Sequence, residues 1–450
     1  MTATDPNRPV DGAGLAAFRF GFGALMVVST LRFVANGWIE SLYLAADYHF
    51  TYLGFDWVKP WPGWGMYFHY ALMGGAALAL CIGLFTRLSA LVFFLTFTYA
   101  ELIDKTTYLN HYYLVSLLAL LLVILPSSGV ASVDAWRASR AGRPPAVGAA
   151  VGVWCYWALR AQVAVVYLFA AWGKVNSDWI LEAEPLRTWL LARADLPLVG
   201  PSLATPAAAY AMSWAGLVFD FAIVPLLAWL RTRRVAYVGA LLFHLTIWLL
   251  FPVGVFSWVM LLAATVFFDP AWPRRFLPAA RGDVPIWAPT PGRFWPKLVV
   301  GLHLAVQALV PLRFILYPGD PNWTEEAFRF AWRVMLIEKS GSVEYRVRRS
   351  AGQPEELVRP RQLLTPLQYK LLSTAPDMIH QYAIELGERY GSANQAAAVR
   401  ADAWVALNGR PSQRIVDPNV DLARQPRSLT PKPWIVPLAQ PPRDPRLVRR

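Results

Sequence analysis

The sequence predicts a mainly α-helical membrane protein, with a bundle of about eight or nine transmembrane spans followed by a C-terminal extracytoplasmic α+β domain. The chain of 450 residues is 56% hydrophobic and only 16% charged, against roughly 25% charged residues in ordinary soluble domains. It contains 21 tryptophans, a residue that favours the boundary between lipid and water. A change to a polar, proline-punctuated composition separates residues 1–316 from residues 317–450.

A helix that crosses a bilayer needs about 20 mostly apolar residues. The first apolar run has no clear cleavage site, so we expect a retained span and not a signal peptide. Two pairs of runs, the second with the third and the seventh with the eighth, are joined so tightly that they predict helical hairpins. The nine predicted spans are residues 14–35, 65–86, 88–103, 110–127, 153–173, 207–230, 235–251, 254–269 and 297–316.

The distribution of arginine predicts the orientation of these spans, because loops rich in Lys and Arg stay in the cytoplasm. A cytoplasmic N-terminus places most basic links inside, and it sends residues from about 317 onward outside. The basic residues of the predicted inner links are Arg87, Arg137, Arg140, Arg143, the segment RTRR at 231–234, Arg274, Arg275, Arg281 and Arg293. The predicted outer links are residues 36–64, 104–110, 174–206 and 251–254.

Three patterns predict the α+β content of the C-terminal region. The segment FAWRVMLIEKSGSVEYRVRR alternates and contains a Ser-Gly break, which predicts a β-hairpin turning at Ser340-Gly341. The segment from Leu364 to Gly391 begins with a Leu-Thr-Pro sequence and has a helical period, which predicts a single helix. A further strand pair is expected around Asn408-Gly409, a strong turn signal.

Other classes of site are disfavoured. The net charge of +13 is spread over short links between apolar runs, so we expect no nucleic-acid partner. Cys81 and Cys155 both lie in apolar runs, which argues against a disulfide framework and against a reactive thiolate. The six histidines show no pair at ligand spacing, and no metal site is expected.

Ionisable residues converge near the predicted outer boundary. Asp104 and Lys105 end the third span, Asn110 and His111 open the fourth, and Lys174 ends the fifth, with Asp178 close behind it. Ionisable groups at membrane depth are costly and are often functional. A lysine that loses its hydration there becomes a usable base.

Each of these residues also has a structural explanation. A lysine at the end of a span usually extends to the lipid headgroups, His111 beside tyrosines is typical of the membrane interface, and Lys105 could pair with Asp104. Asp220 and His244, both in the middle of predicted spans, more often form hydrogen bonds between helices than bind a substrate. The residues alone therefore leave an anchor and a catalyst both open.

The sequence resembles the vitamin K-dependent γ-glutamyl carboxylases and their bacterial relatives, which contain an HTTM domain. The resemblance lies in an ordered set of blocks from near residue 50 to near residue 436. These blocks are IGLFTRLSALVFFLTFTYAELIDKTTYLNHYYL, LRAQVAVVYLFAAWGKVNSDW, FHLTIWLLFPVGVFSWVMLL, FFDPAWPRR, FAWRVMLIEKSG, PDMIHQYA and WVALNGRPSQRIVDPNVDLA.

The resemblance implies a lyase that couples two reactions. In the family, a lysine deprotonates vitamin K hydroquinone, O₂ converts the anion to a stronger base, and that base removes a γ-proton from a peptidyl glutamate, which adds CO₂. The quinone leaves as its epoxide. The family's lysine falls on Lys174, and the Asn-His pair of its NNH motif falls on Asn110 and His111. Lys174 and His111 are thus implied as catalytic, and Asn110, His111 and Tyr167 as contacts to the quinone.

The chain departs from the family pattern at two motifs. The paired lysines become Gly173-Lys174, and NNH becomes Leu109-Asn110-His111. The animal enzymes continue beyond the block near PKPWIVPLAQ with a region tied to propeptide binding, so the resemblance leaves two alternatives open here: carboxylation of a different target, or oxidation of a quinone without carboxylation. The expected partners are a glutamate-containing protein or peptide and membrane lipid. The expected location is a membrane, which is the cytoplasmic membrane if the source is bacterial. A quinone epoxidase without carboxylation and a non-enzymatic lipid-binding scaffold remain alternatives.

Overall fold

The fold was analysed in a computed structural model, which describes residues 5–142, 149–276, 294–350, 352–392 and 395–439. Arg143, Arg281 and Arg293 of the predicted inner links lie outside these ranges. The described part is mostly helical, with one small sheet in the C-terminal region. The fold class predicted from composition and hydropathy is therefore confirmed.

The N-terminal part of the chain forms helices α1 to α13 and a two-stranded antiparallel ribbon, in which Val10 of β1 pairs with Val151 of β2. The ribbon ties the start of α1 to the start of α6. The elements are β1 (Pro9–Asp11), α1 (Ala13–Ala35), α2 (Gly65–Ile82), α3 (Thr86–Ile103), α4 (Asn110–Ile124), α5 (Val133–Arg140), β2 (Ala150–Gly152), α6 (Trp154–Lys174), α7 (Ser177–Leu181), α8 (Leu186–Leu191), α9 (Gly200–Leu203), α10 (Pro206–Ala228), α11 (Arg233–Leu250), α12 (Phe256–Ala264) and α13 (Phe294–Leu312).

All nine predicted spans correspond to helices, but two of these helices are short. Seven helices in the described ranges are long and apolar enough to cross a membrane, namely α1, α2, α3, α6, α10, α11 and the segment Phe294–Leu316 that contains α13. The predicted spans 110–127 and 254–269 are the shorter apolar helices Asn110–Ile124 and Phe256–Phe267. The short links at Gly83 and at residues 251–255 confirm both predicted helical hairpins.

The bundle buries its helices unequally. Helices α1 to α4 form one packed group with α6 and α12, in which Phe22, Phe93 and Leu118 are fully enclosed. By contrast, α11 and α13 bury only 22% of their most apolar windows. Leu242 and Leu309 on these helices are more than 60% exposed. In a membrane protein such outward apolar surface faces the acyl chains, so α11 and α13 present lipid-facing surface. Of the two, α11 also lines the site described below.

The C-terminal region is an α+β domain. Its sheet has the order β4-β3-β5-β6, and every neighbouring pair is antiparallel. Alternate residues of β3, such as Tyr345, are buried under α16, and the Tyr345 hydroxyl donates a hydrogen bond to the Ile379 carbonyl oxygen at 2.9 Å. The elements are α14 (Pro321–Thr324), β3 (Lys339–Arg348), β4 (Glu356–Val358), α15 (Pro366–Leu372), α16 (Pro376–Tyr390), β5 (Ala398–Leu407) and β6 (Gln413–Arg414).

Two of the three C-terminal predictions need correction. No hairpin turn forms at Ser340-Gly341, because β3 continues through both residues and pairs along its whole length with β5. Glycine is needed at position 341 for space, since a Cβ there would collide with the Ser373 carbonyl oxygen. The single helix predicted between Leu364 and Gly391 is two helices, because Pro376 cannot continue the preceding one.

The strand pair predicted around Asn408-Gly409 is confirmed. The two residues, which have φ angles of +48° and +74°, join β5 to the antiparallel strand β6. Asn408 also serves the domain interface, because its Nδ2 donates to Asp178 Oδ2 at 2.9 Å. The turn therefore contacts the segment that follows α6.

Two buried ion-pair clusters dock the C-terminal domain on the helical bundle. At the first, Asp377 binds both Lys105 and Arg329, each at 2.9 Å. At the second, Arg410 makes two contacts of 2.6 Å with Asp178. Paired N–H donors facing a carboxylate give strong, directional bonds. Both membrane-side residues lie in links close to the ends of spans, so the domain is fixed to the chain segments that carry the candidate site.

Candidate active site

Lys174 is the last residue of α6 and is buried rather than extended into headgroups. It is 6% exposed, and its Nζ lies 2.6 Å from Oδ2 of Asp220 on α10. Nζ also donates to the Ala170 carbonyl oxygen at 3.2 Å and lies 5.2 Å from the centre of the Trp179 ring. These contacts favour a functional position over the lipid-anchor explanation, in which the amine would reach water.

Lys174 lines a cavity between α6, α10, α11 and α12, which we call the lysine cavity. The cavity has a volume of about 70 Å³. Its polar side chains are those of Lys174, Asp220, Tyr167 and His244, and the rest of its lining is apolar or aromatic, including Phe256. The Tyr167 hydroxyl and His244 Nε2 are 2.9 Å apart. The cavity therefore combines an ion pair and a second polar pair with walls that suit an apolar ring.

His111, at the start of α4, lines a second cavity of about 680 Å³, which we call the His111 cavity. His111 is 8% exposed, and its ring packs edge-on against Tyr112 with centroids 4.7 Å apart. No hydrogen bond to either ring nitrogen is found within the described ranges. Arg32 and Glu101 line the same cavity. The imidazole is thus a free polar group in a largely apolar surrounding.

Asn110 lies beside His111, but its amide is engaged with the protein. Its Nδ2 donates to the Arg333 carbonyl oxygen at 3.1 Å, and its Oδ1 accepts a hydrogen bond from the Tyr108 hydroxyl at 3.1 Å. The amide thereby joins α4 to the start of the C-terminal domain. A quinone contact to Asn110 remains a prediction, and it would use the remaining amide hydrogen or the second lone pair of the carbonyl oxygen.

The lysine cavity and the His111 cavity are neighbours that share a wall. Phe256, Val334 and Met335 line both of them. The Phe256 ring centre lies 5.7 Å from that of His244 on one side and 5.9 Å from that of His111 on the other. The structure therefore places Lys174 and Tyr167 in one cavity, and Asn110 and His111 in the next, with the Phe256 ring between them.

Three other predicted members of the polar cluster lie outside both cavities. Asp104 accepts hydrogen bonds from the Thr106 backbone and from Gln368 Nε2, the latter at 3.0 Å. Lys105 binds Asp377 and not Asp104, so the suggested pairing of the two neighbours is wrong. Asp178 binds Arg410. The side chains of all three residues contact the C-terminal domain and serve domain docking.

Asp220 and His244 line the candidate site, although the sequence analysis predicted them only as contacts between helices. Each was expected to form a contact between helices, and each does so, since Asp220 joins α10 to α6 and His244 joins α11 to α6. Both also line the lysine cavity. Their signal in the sequence was an ionisable side chain in the middle of a span. Arg32 and Glu101 carried the same signal near span ends.

The cavity walls are compatible with a hydroquinone ring. The polar area of the lysine cavity is confined to a few groups, and aromatic side chains such as Phe243 and Phe251 form much of the remainder. Sites for small apolar ligands combine such walls with a few convergent polar groups. Within the part of the chain that the structure describes, no group of three or more His, Cys, Asp or Glu side chains is placed to hold a metal ion.

Comparison with known families agrees with the two-part architecture. Residues 7–272 match the HTTM domain. Residues 294–441 match the vitamin K-dependent gamma-carboxylase, lumenal domain. The first match covers the helices that form both cavities, and the second covers the docked α+β domain. No solved structure matches the chain.

Proposed function

Because the chain belongs to the HTTM family and carries the lumenal domain of vitamin K-dependent gamma-carboxylases, we propose that it is a γ-glutamyl carboxylase. The proposed reaction couples epoxidation of reduced vitamin K by O₂ to addition of CO₂ at the γ-carbon of a peptidyl glutamate. The family supports a vitamin K-dependent, carboxylase-like membrane enzyme. The particular reaction is our proposal.

The buried pair of Lys174 and Asp220 is the observation that carries this proposal. Only a neutral amine accepts a proton, and an isolated ammonium group would be costly in an apolar cavity. The 2.6 Å contact allows Lys174 to change from a charged ammonium group to a neutral amine. One proton moving from Nζ to Oδ2 of Asp220 gives an amine and a carboxylic acid. Lys174 can then take the proton of a hydroquinone O–H group.

The reduced quinone, when bound, supplies the strong base that removes the γ-proton once O₂ has reacted with it. The residues of this chain hold the ring and exclude water. Tyr167, held by His244, is proposed to contact a ring oxygen inside the lysine cavity. His111 and Asn110 are proposed to bind the ring where it reaches past Phe256. Hydrogen-bond donors aimed at a developing oxyanion stabilise it most strongly in a water-poor site.

The glutamate-containing protein is proposed to approach from the side of the C-terminal domain. The name of the matched domain supports an extracytoplasmic position for it, and the basic links support a cytoplasmic N-terminus. In a bacterium this arrangement places the protein in the cytoplasmic membrane, with the active site facing outward. Lipid would cover the apolar faces of α11 and α13.

The proposal is tested with the full-length protein in nanodiscs. The protein is given reduced vitamin K, O₂, labelled bicarbonate and a peptide with a central glutamate. Quinone epoxide and label fixed into peptide are followed together. We expect both products from the wild type and neither from Lys174→Met, which retains the length and apolar packing of the stem.

The outcomes separate the alternative functions. Epoxide without fixed label would replace the carboxylase proposal with a quinone epoxidase. Turnover that persists in Lys174→Met would remove the lysine from its role. Wild-type protein that binds lipid but leaves the hydroquinone unchanged, under conditions in which a known carboxylase is active, would support the scaffold alternative.

A further inference from the structure

Arg32 is a cation near the membrane surface for which no salt bridge is found among the residues that the structure describes. It lies in the last turn of α1 and lines the His111 cavity. Its Nε is buried and makes no hydrogen bond, while the guanidinium group interacts with the hydroxyl group of Tyr112. Its guanidinium carbon lies 5.0 Å from the centre of the Trp38 ring. A buried donor without an acceptor is costly, so this position needs an explanation.

The space in front of Arg32 is shared with His111. A Cβ built on Gly254 would lie 3.3 Å from Arg32 Nη2 and 3.9 Å from His111 Nε2. The two nitrogens, from α1 and α4, therefore face one small space that the glycine leaves open. Gly254 also has a φ of +59°, a conformation that favours glycine. The turn after α11 thus leaves room for a ligand group between a guanidinium and an imidazole.

The structural explanation is that Arg32 interacts with lipid headgroups at the end of a span. That explanation accounts for the position of Arg32 along the helix. It does not account for the buried Nε or for the orientation of Nη2 toward Gly254 and His111. A guanidinium in such a place matches the planar, two-oxygen geometry of a carboxylate.

We propose that Arg32 binds the side-chain carboxylate of the substrate glutamate in the His111 cavity. This inference rests on the proposed function and adds a position for the second substrate. The quinone ring would occupy the lysine cavity, and the glutamate would enter the His111 cavity from the outer links, where Thr107 and Leu109 contribute to the lining. The two reacting groups then meet at Phe256, which both cavities share.

The first experiment measures binding without turnover. Full-length protein in nanodiscs of neutral lipid is titrated with two pentapeptides that differ only in a central glutamate or glutamine. We expect the wild type to prefer the glutamate peptide, and Arg32→Gln to lose roughly tenfold or more of that affinity, as for a lost charged hydrogen bond. Arg32→Lys should retain part of the preference.

An unchanged affinity of Arg32→Gln for the glutamate peptide would overturn the inference. So would equal losses for both peptides, since these would report a disturbed fold. The second experiment compares KM values in the coupled assay. Arg32→Gln should raise the KM for the glutamate peptide much more than the KM for the quinone.

The two proposals fail in distinguishable ways. Glutamate-selective binding that depends on Arg32, in a protein that fixes no CO₂, would leave the Arg32 site standing and reject the carboxylase. Carboxylation with a peptide affinity that is independent of Arg32 would confirm the carboxylase and reject the Arg32 site.

Discussion

The Nζ of Lys174 and the Oδ2 of Asp220 are 2.6 Å apart in a cavity that is otherwise nearly apolar. The two residues come from different membrane helices, α6 and α10, and both are more than nine-tenths buried. In such surroundings, the attraction within the pair offsets the cost of removing both charges from water only if both partners are present. The pair therefore joins α6 to α10 and also places a proton donor and a proton acceptor in contact.

The first prediction concerns the charge state of Lys174. Lys174→Arg keeps the positive charge and the pairing with Asp220, but arginine does not give up its proton in a protein. We expect epoxide formation to fall by a factor of roughly 10² or more, the usual contribution of a general base. The measurement is the initial rate of quinone epoxidation in nanodiscs. A rate within a few-fold of the wild type would show that Lys174 is only a counter-ion.

The second prediction concerns stability. Asp220→Leu leaves Lys174 buried without a counter-charge and should cost about 3–5 kcal/mol, while adding Lys174→Met to Asp220→Leu should recover most of that loss. Thermal unfolding of Asp220→Leu, of Lys174→Met and of the double variant completes the cycle. The matched control is Glu344→Gln, at an ion pair with Arg359 that is exposed. Additive effects of the two cavity substitutions would contradict a buried ion pair.

The third prediction concerns the docking cluster at Asp377. Burial alone would raise the pKa of Asp377, but Arg329 and Lys105 outweigh it and hold the pKa well below its usual range. A lowered carboxyl pKa stabilises the folded state above the unfolded value, near pH 4, and this contribution is lost as the pH falls further. Asp377→Asn should therefore lower stability by a constant amount from about pH 8 to pH 5, and by less below about pH 4.

Unfolding followed by fluorescence of the C-terminal domain across this pH range would measure the effect. Glu356→Gln is the control, because its ion pair with Arg349 is exposed and should contribute little at any pH. A stability difference between Asp377→Asn and the wild type that grows on acidification would have the wrong sign.

The fourth prediction concerns orientation in the membrane. Both native cysteines are buried, so a single added cysteine can be labelled with low background. Leu429→Cys, on the exposed surface of the C-terminal domain, should react with a membrane-impermeant maleimide added to intact cells. Ser139→Cys, near the end of α5 in a predicted inner link, should react only after the membrane is opened. The reverse pattern would invert the topology.

The membrane helices and their hairpins were predictable because hydropathy reports directly on contact with lipid. The end of an apolar run marked Lys174 as a candidate, but the residues alone left a lipid anchor and a catalyst both open. The partner of Lys174 could not be identified, since Asp220 is 46 positions away and the pairing depends on how α6 and α10 are rotated against each other. Hydropathy does not specify that rotation.

The same limit explains the polar cluster near the outer boundary. Spacing predicts that Lys105, Asp178 and His111 lie at one level of the membrane. Level along the membrane normal does not determine direction, however. Lys105 and Asp178 turn upward to Asp377 and Arg410, whereas His111 turns inward to Phe256. The break before Pro376 could be inferred from local chemistry, but the passage of β3 through Gly341 required its tertiary partners.

The two docking clusters have a mechanical consequence. Lys105 precedes His111 by six positions, and Asp178 follows Lys174 by four positions. Each docking cluster therefore holds the chain close to a proposed catalytic residue. A protein that binds the outer domain and tilts it would pull on both cavities together. Binding of a substrate to the C-terminal domain would then change the distance between Lys174 and His111. The outer domain would transmit force to the two cavities as well as bind the substrate.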